Sequence, residues 1–362
     1  MTRPAEPTPA RRGHLALGAG LSLAWQSLGP THGEPWLVLH GGPGAGAHEG
    51  LAAPLDLTRQ RAILPDQRGS GASRPRGTTR AQTAATLVND LERLRRHLGI
   101  TRWSLLGGSW GATLALAYAG AHPQRVVRVV LRGAFALSRR ELDGLFRPRT
   151  VYGKTIGPAP LSAPFDGGAP TALVLQRLGR LLQSATPSVA SLRATRTWAW
   201  REQAMAERGA RRTVLAARSA GDAVAARAAA AVWRGLHRAA RRGRAWIGAP
   251  RLSRGDRRAW AKFRVQAAVL QGHAGLRPAA LSRVPVSLAR AGVPVDWVHG
   301  RFDAICPPAV SRRGVARALA HGGPAWLHLT LAGHLAHEPA TATALRRVVR
   351  QAVDERAVGR PA

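Results

Sequence analysis

Short apolar runs alternate with helical patterns through the first third of the chain. The apolar runs lie at residues 36–39, 62–64, 103–106 and 126–131, and each ends close to glycine or polar residues. Residues 81–98 carry leucines at the spacing of an amphipathic helix, and residues 112–119 are rich in alanine and leucine. This alternation predicts a mostly parallel sheet covered by helices on both faces. Reactive groups are then expected at the carboxyl ends of the strands.

The alternation returns near the end of the chain, whereas the middle of the sequence lacks it. Two further strands and a closing helix are predicted, at residues 295–298, 326–329 and 340–352. Residues 138–287 are instead rich in arginine and alanine, with helical periodicity and several prolines. We therefore expect an α/β core formed by residues 1–137 and 288–362, with an inserted helical cap at residues 138–287.

The beginning of the chain has two possible interpretations. Arg11 and Arg12 followed by an apolar stretch resemble a twin-arginine export signal. However, leucines at every second position on both sides of residues 18–20 are typical of a β-hairpin with a glycine turn. We favour the hairpin, and with it a cytoplasmic protein. No apolar run reaches the length of a membrane span, so we expect no membrane partner.

The charge balance is strongly basic, with 54 basic and 19 acidic residues and a net charge of +35. Only Lys154 and Lys262 are lysines, and abundant arginine, alanine, glycine and proline are typical of a GC-rich genome. The basic stretch at residues 211–244 still leaves open a polyanion-binding protein that uses its cap. Because no aromatic interleaving or nucleic-acid motif accompanies it, we do not expect nucleic acid as a partner.

The strongest local motif is Gly107-Gly108-Ser109-Trp110-Gly111, which lies between a predicted strand and a predicted helix. A serine on such a tight turn has its hydroxyl lifted above the sheet, and the flanking glycines let the backbone segments approach closely. Since a serine hydroxyl is a weak nucleophile, it needs a general base and a group that orients this base. The motif therefore predicts Ser109 as a nucleophile.

The base and its partner are expected after late strands, in the order acid and then histidine. Asp303 follows the strand at residues 295–298, and His334 follows the strand at residues 326–329. Two rivals are Asp296, at the start of its strand, and His337, at the expected start of the last helix. We predict the triad Ser109, Asp303 and His334 on an α/β-hydrolase fold.

Acyl transfer also needs donors for an oxyanion, which backbone N–H groups supply without side-chain ordering. Trp110 follows the nucleophile, and Gly42 lies in the glycine loop His40-Gly41-Gly42-Pro43-Gly44. We predict these two residues as the oxyanion hole. The loop lacks the ending of a phosphate-binding loop, and residues 334–338 lack the order of a zinc motif. Neither a cofactor nor a metal is therefore expected, and Cys306, the only cysteine, excludes an intrachain disulfide.

These motifs resemble those of the proline iminopeptidase family of α/β-hydrolases. The resemblance rests on five segments of the predicted core, at residues 40–44, 66–71, 107–111, 300–307 and 333–334. In that family, glutamates of the cap bind the free ammonium of an N-terminal proline. By this resemblance Glu202, in Trp198-Ala199-Trp200-Arg201-Glu202, is a candidate substrate ligand, although it could also be a solvated surface residue. Gln266 stands where the family has its second cap glutamate, and an amide supplies no full charge.

The sequence thus predicts a serine hydrolase that works through an acyl-enzyme. The resemblance implies an aminopeptidase that releases an N-terminal proline or another small residue. An esterase or broader amidase is the alternative, since Gln266 weakens the case for amine recognition. The expected partner is a small peptide, amino-acid amide or ester, and the sequence indicates no oligomeric state.

Overall fold

The computed structural model of the protein describes residues 10–146, 149–151, 154–156, 169–184, 186–249 and 252–357. The strands are β1 (Arg11–Gly18), β2 (Leu21–Leu28), β3 (Glu34–Leu39), β4 (Gln60–Pro65), β5 (Trp103–Gly108), β6 (Val126–Arg132), β7 (Arg149–Val151), β8 (Lys154–Ile156), β9 (Val295–Gly300) and β10 (Ala325–Thr330). The α-helices are α1 (Ala84–His97), α2 (Trp110–Ala121), α3 (Arg139–Phe146), α4 (Thr171–Leu182), α5 (Val189–Ser219), α6 (Ala223–Ile247), α7 (Arg254–Gln271), α8 (Pro278–Arg290), α9 (Ala309–Leu319) and α10 (Pro339–Ala357).

One eight-stranded sheet organises the molecule, in the order β1-β2-β4-β3-β5-β6-β9-β10. The strands from β4 to β10 in this order are parallel, while β1 and β2 extend the sheet as an antiparallel edge. The prediction of a mostly parallel sheet is confirmed, and so is the α/β-hydrolase fold class. Strands β5, β9 and β10 therefore end at the same edge, which brings together three loops far apart in sequence.

Alternate residues of each strand face opposite sides of the sheet, and both sides are covered. Leu37 and Leu39 of β3 pack into a cluster that includes residues of α1 and α2. Their neighbours Trp36 and Val38 pack on the other side, where Leu345 of α10 joins them. Because both faces are buried, the central strands consist of continuous apolar runs.

The predicted hairpin at the beginning of the chain is confirmed. Strand β1 pairs with β2 in antiparallel register, and Ala19 and Gly20 form the turn with positive φ. Arg11 and Arg12 lie within β1, opposite Ser27 and Gln26 of β2. Among the described helices, none has both the length and the apolar character needed to cross a membrane.

The arginine-rich segment forms two long helices, α5 and α6, that pack against each other. Their contact is made by small apolar residues, including Val214 of α5 with Ala229 and Ala230 of α6. The arginines of this segment are exposed to solvent at positions 211, 212, 218, 227, 234, 238, 241, 242 and 244. The basic stretch is therefore the outer, solvated side of a helix pair.

The predicted cap boundaries can be refined from the helix contacts. Helix α8 lies within the predicted cap, yet it packs against α2 and α9, which belong to the layers around the sheet. We propose that the core resumes at α8 and not at residue 288. Parts of the predicted ranges, at residues 1–9, 157–168 and 358–362, lie outside the described residues.

A buried ion pair joins two helices of the cap. Arg196 of α5 donates to both carboxylate oxygens of Asp256 of α7, at 2.7 and 3.0 Å. Asp256 also accepts from the backbone N–H and the hydroxyl of Ser253, which caps α7. The Arg196 hydrogen bond lowers the pKa of Asp256 to about 2, although burial opposes this shift. The pair fixes how α7 lies against α5.

We expect Asp256→Asn to lower the free energy of unfolding at pH 7 by about 3 kcal/mol, because Arg196 loses its charged partner inside the protein. Since the pKa of Asp256 is lower in the folded state, its stabilisation is complete above about pH 4 and disappears as the pH falls towards 2. Urea unfolding of the wild type and the variant, from pH 7 down to pH 3, measures both effects.

Asp222→Asn is the matched control for this measurement. Asp222 caps α6 by accepting from the N–H of Ala225 and is exposed, and asparagine caps a helix as well as aspartate does. The control should change stability by less than about 0.5 kcal/mol. Equal stability of Asp256→Asn and the wild type at pH 7 would contradict the assigned role of the pair.

Candidate active site

Ser109 lies on the turn between β5 and α2, at the carboxyl edge of the sheet. Its backbone has φ 56° and ψ −122°, a combination that non-glycine residues rarely adopt. The Ser109 N–H donates to the carbonyl of Arg132 at 2.8 Å, and the Ser109 carbonyl accepts from Ala112 at 2.9 Å. Both bonds hold the turn in place, so the serine side chain is presented beyond the end of β5.

Glycine is required at several positions around Ser109, because neighbouring backbone segments leave no space there for a Cβ atom. A Cβ atom at Gly107 would overlap the carbonyl oxygen of Gly111, and one at Gly111 would overlap the carbonyl oxygen of Leu39. At Gly41, in the neighbouring loop, a Cβ would lie 3.2 Å from the Cβ of Ser109. The motif therefore packs β5, α2 and the loop after β3 more tightly than any side chain would allow.

Asp303 follows β9 and is fully engaged by hydrogen-bond donors. Its Oδ1 accepts from the backbone N–H groups of Ile305 and Cys306, at 2.9 and 2.8 Å. Its Oδ2 lies 2.7 Å from Nδ1 of His334. Burial by itself would raise the pKa of Asp303, but the charge of His334 and hydrogen bonds from His299 and His334 outweigh burial. The pKa of Asp303 is thus held well below its ordinary value, and the group is a carboxylate.

His334 is held by its loop as well as by Asp303. Glu338 accepts from the N–H of Gly333 at 2.7 Å and from the N–H of Leu335 at 2.9 Å, on either side of the histidine. Because Nδ1 donates to Asp303, Nε2 carries the lone pair and faces the cavity. Asp303 and His334 therefore form the geometry of a base and the group that orients it.

Ser109 and His334 line the same cavity of about 490 Å³, between the sheet edge and helices α5 and α7. Within the described part of the chain, no hydrogen bond yet joins the Ser109 hydroxyl to His334 Nε2. The Cys306 thiol is 4.0 Å from Ser109 Oγ. Burial raises the pKa of this thiol and keeps it protonated, so Cys306 does not compete as a nucleophile.

Arg132 occupies the space beside the base. Its Nη1 donates to the carbonyl oxygen of His334 at 2.5 Å and lies 3.4 Å from His334 Nε2. Burial lowers the pKa of the guanidinium. A proton transfer from the Ser109 hydroxyl to Nε2 would require this arginine contact to be replaced.

The two residues predicted as oxyanion donors lie on segments next to Ser109. Helix α2 begins at Trp110, and the first N–H groups of a helix have no acceptor within it. Gly42 has a positive φ of 75° and lies in the wall of the cavity that contains Ser109. The structure thus places Trp110 and Gly42 in the lining of the cavity that also contains Ser109.

Gln67 connects the loop of Gly42 to the serine turn. Its Nε2 donates to the carbonyl of His40 at 2.9 Å, and its Oε1 accepts from the indole N–H of Trp110 at 2.8 Å. The Gln67 N–H donates to His40 Nε2, and burial lowers the pKa of His40, which leaves its imidazole neutral. This buried network sets the distance between the two segments that carry Gly42 and Trp110.

Glu202 is not a solvated surface residue, because its carboxylate lines the cavity and is paired there. Glu202 Oε2 accepts from Lys262 Nζ at 2.6 Å, and Oε1 accepts from Gln266 Nε2 at 2.7 Å. The structure therefore brings the two cap positions together although they are 64 residues apart. Arg201 turns away from the cavity and donates to the carbonyl of Phe146.

Three residues of the site are absent from the sequence prediction, namely Arg132, Gln67 and Lys262. Arg132 is the last residue of β6, whose apolar run is otherwise interrupted by Arg128 alone. A charged residue at the carboxyl end of a predicted strand is a signal that could have found Arg132. Gln67 lies in the segment of residues 66–71, where only the resemblance drew attention to it. Lys262 carries no local signal, since its contact depends on how α7 packs on α5.

The two rival residues lie outside the cavity. Asp296 is the second residue of β9, at the opposite end of the strand, and pairs with Arg128 and His328. His337 is exposed and precedes α10, so the expectation that it begins the last helix is wrong. The helix begins at Pro339, since proline has a fixed φ and no N–H, which suits the first helical position.

The protein family described as having the alpha/beta hydrolase fold matches residues 35–341. The match includes the whole parallel part of the sheet and the intervening helices.

Curated relatives are similar to parts of the chain. The proline iminopeptidase of Xylella fastidiosa strain 9a5c is 44% identical over 142 residues, which are 39% of this chain and 45% of that protein. The probable proline iminopeptidase of Streptomyces coelicolor is 40% identical over 205 residues, which are 53% of this chain and 61% of that protein. The chain thus matches about half the length of these relatives.

Solved structures show the same fold at low sequence identity. A 2-hydroxy-6-oxo-6-phenylhexa-2,4-dienoate hydrolase from Rhodococcus sp. strain RHA1 is 18% identical with a TM-score of 0.56, over 96% of this chain and 99% of that chain. A proline iminopeptidase-related protein from Thermus thermophilus is 22% identical with a TM-score of 0.51, over 96% of this chain and 98% of that chain.

We expect Gln67→Leu to slow the reaction of Ser109 with a fluorophosphonate by about tenfold to a hundredfold, because loss of the link lets the donor segments shift by a fraction of an ångström. The rate constant of labelling, followed by in-gel fluorescence, measures this effect, and thermal unfolding checks that the variant is folded.

Gln82→Leu is the matched control. Gln82 is also buried and donates to the carbonyls of Arg68 and Thr78, but it contacts neither His40 nor Trp110. Labelling of Gln67→Leu at the wild-type rate, or an equal loss in both variants, would contradict a positioning role of Gln67.

Proposed function

The chain belongs to the α/β-hydrolase fold family, and on this premise we propose that it is a serine hydrolase that works through an acyl-enzyme. The observation that carries the proposal is the buried hydrogen bond between Asp303 and His334, because His334 also lines the cavity that contains Ser109. In the proposed reaction Ser109 attacks a carbonyl carbon while His334 Nε2 takes the hydroxyl proton. The same proton then goes to the leaving group, and water releases the acyl group by the reverse steps.

Asp303 serves this reaction as an anion. Its lowered pKa keeps it ionised, so it can hold the His334 ring in one tautomer and stabilise the imidazolium that forms. The two backbone donors on Oδ1 leave Oδ2 for the imidazole, which supports this role. Arg132 must give up its contact with Nε2 as the substrate enters.

The proposed oxyanion hole consists of the N–H groups of Trp110 and Gly42. Trp110 supplies the first free N–H of α2, and Gly42 supplies one from the facing loop. Charge that develops on the carbonyl oxygen is stabilised best by donors that are already in position. The link through Gln67 supports such prior positioning.

We propose an aminopeptidase that releases an N-terminal proline or another small residue from a short peptide or amino-acid amide. The similarity to proteins named proline iminopeptidase supports this substrate class. Glu202 supports it as well, because a carboxylate in the catalytic cavity is a suitable ligand for a substrate ammonium.

The alternative is an esterase or broader amidase, and one observation favours it. Both oxygens of Glu202 already have partners, and one partner is the cation Lys262. A substrate without a charged amine would leave this arrangement undisturbed.

We also propose a cytoplasmic location. It is supported by Arg11 and Arg12, which are strand residues paired with β2.

The experiment compares hydrolysis of proline p-nitroanilide and p-nitrophenyl butyrate by the wild type and by Ser109→Ala. We expect the wild type to cleave the anilide and the variant to cleave neither substrate above background. Cleavage of the ester alone would favour the alternative. Equal rates for the wild type and Ser109→Ala would overturn the serine hydrolase mechanism.

We further expect Asp303→Asn to lower kcat by a factor on the order of 10⁴ with little change in KM, because the base loses its correct tautomer. Steady-state kinetics with the preferred substrate measures this loss. Asp296→Asn is the control, since Asp296 is a carboxylate within β9 and lies outside the cavity. It should reduce stability and keep kcat within about a factor of two. A similar loss of kcat in both variants would contradict the assignment of Asp303.

A further inference from the structure

Lys262 places a cation inside the catalytic cavity, on the carboxylate that a substrate ammonium would use. Its Nζ lies 2.6 Å from Glu202 Oε2, and both side chains are about 24% exposed. The pair is therefore protected from water only in part, and an incoming ligand can reach both groups through the cavity. Every basic residue of the chain except Lys154 and Lys262 is an arginine. A compact ammonium, and not a planar guanidinium, thus stands at this position.

The position of Lys262 is fixed by the packing of α7 on the glycine loop. A Cβ atom at Gly42 would lie 3.3 Å from Lys262 Cε, and one at Gly44 would lie 3.1 Å from Lys262 Cα. The Lys262 ammonium also lies 4.3 Å from the centre of the Phe263 ring. These contacts hold the stem of the lysine, so its ammonium stays within reach of Glu202.

Gln266 completes the arrangement with an unused acceptor. Its Nε2 donates to Glu202, which fixes the orientation of the amide and directs Oε1 away from that carboxylate. Gln266 is 4% exposed, and among the described residues its Oε1 has no hydrogen-bond partner. A buried acceptor without a partner costs free energy, which a donor on a ligand would recover. A substrate N–H group that reached Gln266 Oε1 would satisfy this acceptor without displacing Lys262.

From these contacts we propose that Lys262 is a specificity-determining residue, an internal ammonium that competes with the ammonium of the substrate for Glu202. This inference rests on the proposed aminopeptidase function. Among the described residues that line the cavity, Arg132 and Lys262 are cations and Glu202 is the carboxylate. A free N-terminal ammonium must displace Lys262, whereas a neutral substrate that offers an N–H to Gln266 need not. Lys262 thereby weakens the binding of charged N-termini and widens the range of substrates towards neutral ones.

The test uses Lys262→Met, which keeps the stem and removes the charge. We expect KM for proline p-nitroanilide to fall about tenfold, since Glu202 becomes free to accept the substrate ammonium. The ratio of kcat/KM for this anilide to kcat/KM for p-nitrophenyl butyrate should rise by the same factor. Arg257→Met is the matched control, because Arg257 is an exposed cation of the same helix, and its ratio should not change.

A binding measurement separates this inference from the catalytic mechanism. In the Ser109→Ala background, calorimetry gives the Kd of prolinamide and of the neutral N-acetylprolinamide, with and without the additional Lys262→Met substitution. We expect the substitution to lower the Kd of prolinamide about tenfold relative to the Kd of the neutral ligand. A wild type that hydrolyses neither substrate would overturn the proposed function, while this binding ratio would still test the role of Lys262.

Two outcomes would overturn the inference even if hydrolysis is confirmed. An unchanged binding ratio in Lys262→Met would mean that Lys262 does not compete for Glu202. An equal fall of kcat for both chromogenic substrates would mean that the ammonium acts on the oxyanion beside Gly42 and not on specificity.

Discussion

The backbone at Ser109 is held in a conformation that costs free energy, and the whole site depends on the packing that holds it there. The end of β5, the start of α2 and the loop after β3 meet at this turn, and they leave no room for a side chain at three positions. These positions are Gly107 and Gly111, which lie against neighbouring backbone, and Gly41, which lies against Ser109. The close approach follows from the pairing of the parallel strands β3 and β5, whose register places Leu39 beside Gly107. A strained turn persists only where the surrounding structure determines it fully. Here the sheet provides that structure.

The same sheet edge explains why residues far apart in sequence lie close together. Asp303 and His334 follow β9 and β10, which are adjacent and parallel, so the loops that carry them lie next to each other. Each loop is then fixed by its own hydrogen bonds, from backbone N–H groups to Asp303 Oδ1 and from the residues around His334 to Glu338. The His334 imidazole is therefore oriented in the structure without substrate, and the proposed proton transfer requires the contact between Arg132 and Nε2 to change.

The sequence predicted the framework of the site because each predicted residue had a local signal. Ser109 lies in a glycine motif between a predicted strand and a predicted helix, and Asp303 and His334 follow short apolar runs that predict strands. Lys262 and Gln67 had no such signal, since their roles come from contacts between segments that no periodicity reveals. The boundary of the cap is also hard to predict, because α8 has no strand pattern that would separate it from the cap and yet packs on α2. The layer to which a helix belongs depends on its tertiary contacts, and composition does not predict those contacts.

The central claim is that Ser109 is made reactive by His334. Its most direct test is intact-mass and peptide mass spectrometry after reaction with a fluorophosphonate, on the wild type and on His334→Ala. The account predicts one adduct, on the peptide that contains Ser109, and a labelling rate that falls by about a hundredfold or more in the variant. An adduct on another residue, no adduct at all, or equal rates in the two proteins would contradict it.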